Sequence, residues 1–564
     1  MALAEKKRLG DILVNSGKIT SEQLQEALKA QKALGKKLGE VLVSSGVISD
    51  DEIVDCIKKQ TGIESINLNT IIFDKKVFNF VSEKLCNKYM LIPFGFENNR
   101  IKVAFADPLN IFAIDDVTIS SNFEVQSFIA NKEDIQKFIK VYYSSKEVSR
   151  AAEQLTLESK ELASKEETTT EDITDINNAP VVKMVDFLFK NAVDMRASDI
   201  HIEPFEKYVR IRYRIDGELQ NVNSLGIGSL SPLVTRIKIL ASLNIAEKRI
   251  PQDGRIITRV GNNDVDLRVS ILPVVNGEKV VIRILNRSNY SVGRERLGMG
   301  AENFKKLDRI ISSPHGIVLV TGPTGSGKST TLYTVLSELN KEDVNIVTVE
   351  DPVEYALEGI NQVNVHAKAG LTFAAGLRSI LRQDPDIVMI GEIRDDETAQ
   401  IATKAAITGH LVLSTLHTND APSSILRLID MGIEPYLVST SITGVIAQRL
   451  VRRICPNCSE PYKASDSEKK MLIGRTDREI ILHRGKGCGY CNGSGYSGRV
   501  GVYELMEINR EIRDLISAGE NSNILKDAAM KNGMSTLAME GKKLVLQGVT
   551  TIQQLATITM VRGD

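Results

Sequence analysis

At 564 residues the chain is too long for one hydrophobic core, and length alone suggests about three to five domains. Its composition, 42% hydrophobic and 25% charged, is that of a folded globular protein able to bury a sizeable core. The formal net charge of −1 carries no overall basic excess of the kind many nucleic-acid binders show, and no apolar run reaches the roughly 18–20 residues that span a bilayer.

The start, MALAEKKRLGDILVNSG, has no apolar signal core, which argues against secretion. It opens a repeat: RLGDILVNSGKITSEQLQEALKAQ (8–31) returns as KLGEVLVSSGVISDDEIVDCIKKQ (37–60), 29 residues later. In each copy a short helix should end at Gly17 or Gly46, because glycine accepts the left-handed C-terminal conformation. Thr20 or Ser49 then offers an N-cap for the next helix. Residues 1–61 therefore read as a helix–turn–helix unit used twice. Residues 62–143 mix β-like and helical runs and predict a small α+β domain. Residues 144–178, rich in Glu, Ser and Thr, predict a flexible linker. Residues 179–295 open with a helical stretch and continue in strands, predicting one sheet with helices on a face.

Apolar strands alternate with helices over 296–454, which predicts a mainly parallel α/β sheet. Its first strand, GIVLVT, runs into GPTGSGKS (322–329), which fits the phosphate-loop pattern G-x-x-x-x-G-K-[ST] in every position, and a helical stretch follows. Gly322, Pro323, Thr324, Gly325, Ser326, Gly327, Lys328, Ser329 and Thr330 are the expected ATP-binding residues. The glycines let backbone N–H groups converge on phosphate at a helix N-terminus. Lys328 should reach the β- and γ-phosphates, and Ser329 should hold Mg²⁺. The next strand ends in Glu350-Asp351, with Glu354 close behind; these acids could polarise a water or hold Mg²⁺, or form a solvated acidic loop. DIVMIGE delivers Glu392 to a strand end, where a metal-side or water-activating carboxylate is expected, with a plain strand terminus as the alternative. GHLVLSTLHTND ends near His417, which reads as a structural histidine or, at a strand end beside the expected γ-phosphate, as a phosphate sensor.

Residues 455–500 hold two C-x-x-C pairs, Cys455/Cys458 and Cys488/Cys491. Two such pairs complete a tetrahedral Zn²⁺ site, with a redox pair as the rival reading. Four thiolates leave no open position, so the site would be structural. Cys56 and Cys86 read as core residues. Residues 501–564 read as helical with no obvious chemistry.

The phosphate loop, the acidic box at 350–354, the Glu392 strand and the His417 segment, in that order, resemble the secretion ATPase superfamily. SDIHIEPFEKYVRIRYRIDGEL, IAEKRIPQDGR and LRQDPDIVMIGEIRD resemble its GspE/PilB branch, whose members power type II secretion and type IV pilus assembly. The resemblance covers about 60–560. It implies a RecA-like core, homohexameric rings, an N-terminal PAS-like subdomain (179–295), and arginines that close over the phosphates. Matched segment by segment, Arg268 and Arg283 take that role on the subdomain, and Arg378 and Arg382 form a second pair. Without the resemblance, each reads equally well as one half of a surface ion pair.

The N-terminal repeat resembles the MshEN cyclic-di-GMP-binding domain: two 24-residue motifs separated by the five residues KALGK. That implies cyclic di-GMP at Arg8, Leu9, Gly10, Lys37, Leu38 and Gly39. Lys37 stands where the pattern has arginine, and a packed docking module is the alternative. Together these readings describe a cytoplasmic ATPase at the inner face of the cell membrane, driving type IV pilus assembly on a membrane-embedded platform protein under cyclic-di-GMP control. The nearest rival is the same motor in type II secretion. A RecA-like nucleic-acid translocase fits poorly, since aromatic–basic stacking segments are lacking and no nucleic-acid partner is expected. A non-hydrolysing nucleotide sensor is disfavoured by the set of acids.

Overall fold

The computed structural model describes residues 10, 13–14, 16–34, 38, 41–42, 45–48, 58, 63–108, 110–139, 142–143, 179–261, 263–286 and 293–559. The stretch expected as a linker, 144–178, lies outside them, as do Arg8, Leu9, Lys37, Gly39, Ser49 and Cys56.

In the N-terminal repeat, Gly17 and Gly46 both take positive φ, 71° and 70°. Thr20 caps the Ser21–Leu34 helix: its Oγ1 accepts from Gln23 N–H at 3.2 Å, and Gln23 Oε1 accepts from Thr20 N–H at 2.8 Å, a reciprocal capping box. Leu13, Ile19, Ala27, Val41, Leu42 and Ile48 form a small core shared by the two copies. Gly10 is packed so closely on Leu24 that a Cβ there would lie 2.7 Å from a Leu24 methyl.

The next domain is a three-stranded sheet. Leu91–Glu97 runs antiparallel to Arg100–Phe105, which runs parallel to Glu124–Ile129. Its aromatic-rich core includes Phe73, Phe78, Phe94, Phe105 and Phe138. Cys86 is buried in it, and burial pushes its thiol up to about 12 despite a hydrogen bond with Tyr143.

Residues 179–286 form a six-stranded antiparallel sheet. The helices Ala179–Asp194 and Leu230–Leu240 pack with it through Val181, Met184, Leu188, Leu233 and Ile237.

The largest unit is a seven-stranded sheet. Its order is Asn361–Asn364, Ile346–Glu350, Ile387–Ile390, Leu411–Leu416, Gly316–Thr321, Ile442–Ile454, Tyr496–Glu507. All neighbours are parallel except the last pair. The central strands are buried along their whole length, which explains their near-continuous apolar sequences. Alternate residues serve opposite faces. Ile317 and Leu319 join the core containing Leu377, Ala402 and Ile425; Val318 and Val320 join the one containing Leu332, Val335 and Leu336.

The Tyr496–Glu507 strand crosses the boundary expected at 500 and corrects the reading of 501–564 as wholly helical. The cysteine element is thus an insertion between two paired strands of the sheet. Gly498 and Gly501 break up the start of that strand in the sequence, and its buried run, Val500–Met506, is recognised as a strand only through its pairing with Ile442–Ile454. No helix among the described residues is long and apolar enough to cross a membrane.

Candidate active site

The phosphate-loop segment joins the carboxyl end of the Gly316–Thr321 strand to the Lys328–Leu339 helix. The backbone is left-handed or otherwise glycine-specific at Gly322 and Gly327, with φ of 149° and 90°. A Cβ at Gly322 would stand 2.4 Å from Gln448 O, and one at Gly327 2.8 Å from Gln448 Nε2. Glycine is therefore required by both torsion and space. The helix starts without a side-chain cap, so its first-turn amides are left for a ligand. Ser326 is buried and its hydroxyl has no partner among the described residues, an orphaned polar atom inside the loop.

Lys328 folds back over this loop. Its Nζ donates to Gly322 O at 2.8 Å and Pro323 O at 3.2 Å. Burial holds its pKa below the usual lysine range; the Glu392 charge opposes that and Arg449 adds to it. Ser329 and Thr330 are exposed at the helix start.

Glu392 stands two residues beyond the Ile387–Ile390 strand, its side chain 13% exposed. One oxygen pairs with Arg394, and the other lies 3.2 Å from His417 Nε2. Burial tends to raise the Glu392 pKa, but Arg394 and His417 outweigh it and hold the group ionised below its ordinary range. Hydroxyls fasten the strand ends together: Thr415 Oγ1 donates to Gly391 O at 2.7 Å, and Thr321 and Thr418 hydroxyls meet at 2.7 Å. Lys328, Glu392 and His417 are thus gathered at the carboxyl ends of three neighbouring central strands.

Glu350 is 4% exposed and accepts from three groups: Tyr333 Oη, Thr348 Oγ1 at 2.6 Å and Gln362 Nε2 at 3.0 Å. Asp351, Glu354, Arg268 and Arg283 line a cleft between the antiparallel-sheet domain and the acidic loop. There Arg268 pairs with Glu354 at 2.9 Å and donates to Val353 O at 2.9 Å, while Arg283 pairs with Asp199 at 3.1 Å. Arg378 and Arg382 ride the Phe373–Ile380 helix and its end; Arg378 pairs with Glu397, and Arg382 donates to Arg378 O at 2.8 Å. All four arginines hold protein partners rather than the phosphate loop.

Tyr333, Gln448, Arg394 and Arg449 are site residues the sequence reading missed. Gln448 backs the loop and accepts from Thr331 Oγ1 at 2.7 Å. Arg449 is buried beside it and donates to Asn419 Oδ1 at 3.1 Å. Tyr333 lies five residues beyond the phosphate-loop lysine, and a tyrosine between Leu332 and Val335 on a helix buried over Thr331–Leu336 is the signal that could have marked it.

The four cysteine sulfurs of the inserted element lie within 4.8 Å of one another. Individual separations are 3.8 Å (Cys455–Cys488), 3.8 Å (Cys458–Cys491) and 3.6 Å (Cys488–Cys491). A tetrahedron with Zn–S of about 2.3 Å has sulfurs about 3.8 Å apart, so the set fits that ion. All four are free thiols.

The sequence profile described as "Type II/IV secretion system protein" matches residues 174–557, and the MshEN domain profile matches residues 61–149. The MshEN match falls on the three-stranded domain, and the repeat at 8–60 lies ahead of it. The type IV pilus assembly ATPase PilB of Myxococcus xanthus is 42% identical over 556 residues, 97% of this chain and 98% of that protein. Type II secretion system protein E of Pseudomonas aeruginosa is 50% identical over 391 residues, 69% of this chain and 78% of that protein. Among solved structures, the Yersinia pseudotuberculosis ATPase DotB aligns with a TM-score of 0.50 at 21% identity, covering 67% of this chain and 94% of its own; the likeness is one of fold.

Proposed function

Because this chain belongs to the type II/IV secretion system protein family and is an ATP hydrolase, we propose that it is the homohexameric motor of type IV pilus assembly. The observation that carries the ATPase part is the uncapped, glycine-built loop with Lys328, Glu392 and His417 gathered at its edge. Loop amides and the helix N-terminus cradle the phosphates. Lys328 exchanges its two carbonyl partners for β- and γ-phosphate oxygens. Glu392, kept ionised by its neighbours, orients the attacking water, and His417 reports the γ-phosphate to it. Mg²⁺, when bound at the Ser329 hydroxyl, supplies charge neutralisation between the phosphates. Glu350 and Glu354 set the acidic wall of the site. Arg268 and Arg283 leave Glu354 and Asp199 to close over the nucleotide, and Arg378 and Arg382 contribute from the other side.

Hydrolysis changes the angle between the antiparallel-sheet domain and the core, and the ring transmits that motion to a platform protein at the inner face of the cell membrane. The cysteine set holds Zn²⁺ as a structural ion. The repeat, together with the MshEN match beside it, supports cyclic di-GMP as the regulator, bound at Arg8, Leu9, Gly10, Lys37, Leu38 and Gly39. Pilus assembly is favoured because likeness to a pilus assembly ATPase runs over 97% of this chain. Type II secretion is the second reading, favoured by the higher identity, 50%, over the motor region.

The test is ATP turnover of the full chain, with and without cyclic di-GMP, and of Lys328→Ala. Turnover by the wild type is expected to fall by about 10³-fold or more in the variant. Equal turnover in both would sink the active-site reading. Restoration of pili, but not of secretion, in hosts lacking either motor separates the two machines.

A further inference from the structure

The cysteine insertion does more than close on itself: its second knuckle touches the MshEN-matched domain. Gly489, between Cys488 and Cys491, donates its N–H to Ile71 O at 2.8 Å, and Tyr490 N–H points to Asn69 O at 3.4 Å. Lys137 of the same domain sits over the Tyr490 ring, 5.0 Å from its centroid, and donates to Asn69 Oδ1 at 3.4 Å. The fit is close. A Cβ on Gly489 would meet Leu68 O, Phe138 and Ile71 O at 3.1, 3.1 and 3.2 Å. The absence of a side chain there lets two backbones approach.

The other end of the insertion is rooted in the motor. Cys455 directly follows the Ile442–Ile454 strand, and Cys455 N–H donates to Gly495 O at 3.0 Å just before the return strand. The same strand carries Gln448, whose carbonyl oxygen lies against Gly322 of the phosphate loop. A rigid strand pair therefore runs from the back of the nucleotide loop to a knuckle seated on the MshEN-matched domain. The direction of the Gly489 N–H is set by the turn between two of the cysteines, and an ion held by the four thiolates would fix that turn.

We propose that the tetracysteine knuckle is a metal-set clamp that holds the MshEN-matched domain on the motor through Gly489 and Tyr490. The clamp gives the regulation proposed above a physical seat, and it rests on the zinc reading of the four cysteines. A purified chain with no zinc would remove that reading, whereas the substitutions below probe the clamp by itself.

The experiment is hydrogen–deuterium exchange on the full chain, with zinc content measured in parallel. Gly489→Val is expected to speed exchange over residues 67–73 by about tenfold, with one zinc per chain retained. Unchanged exchange there with zinc retained would overturn the proposal. Should Gly489→Val lose its zinc, Lys137→Glu decides from the opposite side of the contact, far from the cysteines in sequence. It is expected to speed exchange over 67–73 by about threefold, and no change overturns the clamp. Wild-type chain stripped of zinc is expected to behave as Gly489→Val does; continued protection of 67–73 after stripping also overturns it.

Discussion

Glu350 and Glu392 close neighbouring parallel strands at nearly the same level of the sheet, since Val349 pairs with Ile390 and Gly391 N–H donates to Val349 O at 2.8 Å. Both follow an apolar run, and the sequence presents them alike. Their surroundings differ. Glu350 is enclosed, its oxygens taken up by Tyr333, Thr348 and Gln362. Glu392 faces the site, held among the described residues by Arg394, itself 63% exposed, and by His417. A carboxylate whose acceptor positions are filled by fixed protein donors organises its surroundings; one with mobile partners is free to take a water as a further partner. The contrast comes from three elements: the Lys328–Leu339 helix brings Tyr333 to Glu350, its own strand brings Thr348, and the Asn361–Asn364 strand brings Gln362.

The sharpest way to break this contrast is Glu392→Gln. Turnover is expected to fall by about 10²–10³-fold, because the amide keeps the shape but not the charge that orients water. Thermal stability should move little, by about 1 kcal/mol or less, since the lost ion pair is with a largely exposed arginine. Steady-state turnover beside a melting curve checks both. A variant that turns over normally would transfer the hydrolytic role to Glu350 and erase the distinction.

That distinction marks where the sequence stops being legible. The phosphate loop is read from eight consecutive residues because its chemistry is local: a tight turn, a lysine and a helix start. The cysteine site is nearly as local, two pairs whose spacing suits a single tetrahedral ion. Strand ends at Glu350, Glu392 and His417 follow from apolar runs that stop. Partners brought by other elements leave no such trace. Gln448 and Arg449 lie more than a hundred residues from the loop they back, on a strand whose pairing places them. The strand at Tyr496–Glu507 went unread because its glycine-rich start looks like a turn until it is paired. The arginines came from resemblance, and here each sits on an acid or a carbonyl of its own chain.

Tyr333→Phe sharpens the comparison from the Glu350 side. Its hydroxyl donates to Glu350, lies 3.3 Å from Glu354 N–H, and its ring meets Tyr355 edge-on at 4.6 Å. Phenylalanine keeps the ring and removes the donor, so the expected cost is about 1–2 kcal/mol of stability, with a fall in turnover smaller than that of Glu392→Gln. The decisive readout is non-additivity. If the hydroxyl acts through the Glu350 carboxylate, Tyr333→Phe added to Glu350→Gln should cost less than the sum of the two singles. A strictly additive pair would mean the hydroxyl acts independently of the Glu350 carboxylate.

The smallest expected effect lies at the one of the four arginines whose ion pair is the most open to water. Arg378 and its partner Glu397 are 52% and 55% exposed, on two helices packed beside the sheet. An ion pair so open to water is worth little, and Arg378→Ala should shift the unfolding free energy by less than about 0.5 kcal/mol. Turnover is the informative quantity, because stability will not confuse it. If Arg378 leaves Glu397 for nucleotide during the cycle, the alanine variant should raise the Michaelis constant for ATP or lower turnover while melting normally, and Glu397→Gln, which frees the guanidinium, should not mimic it. If both variants turn over as wild type does, Arg378 is a surface ion pair, and the closing charge falls to the arginines at the domain cleft, Arg268 and Arg283, whose partners Glu354 and Asp199 are the more enclosed.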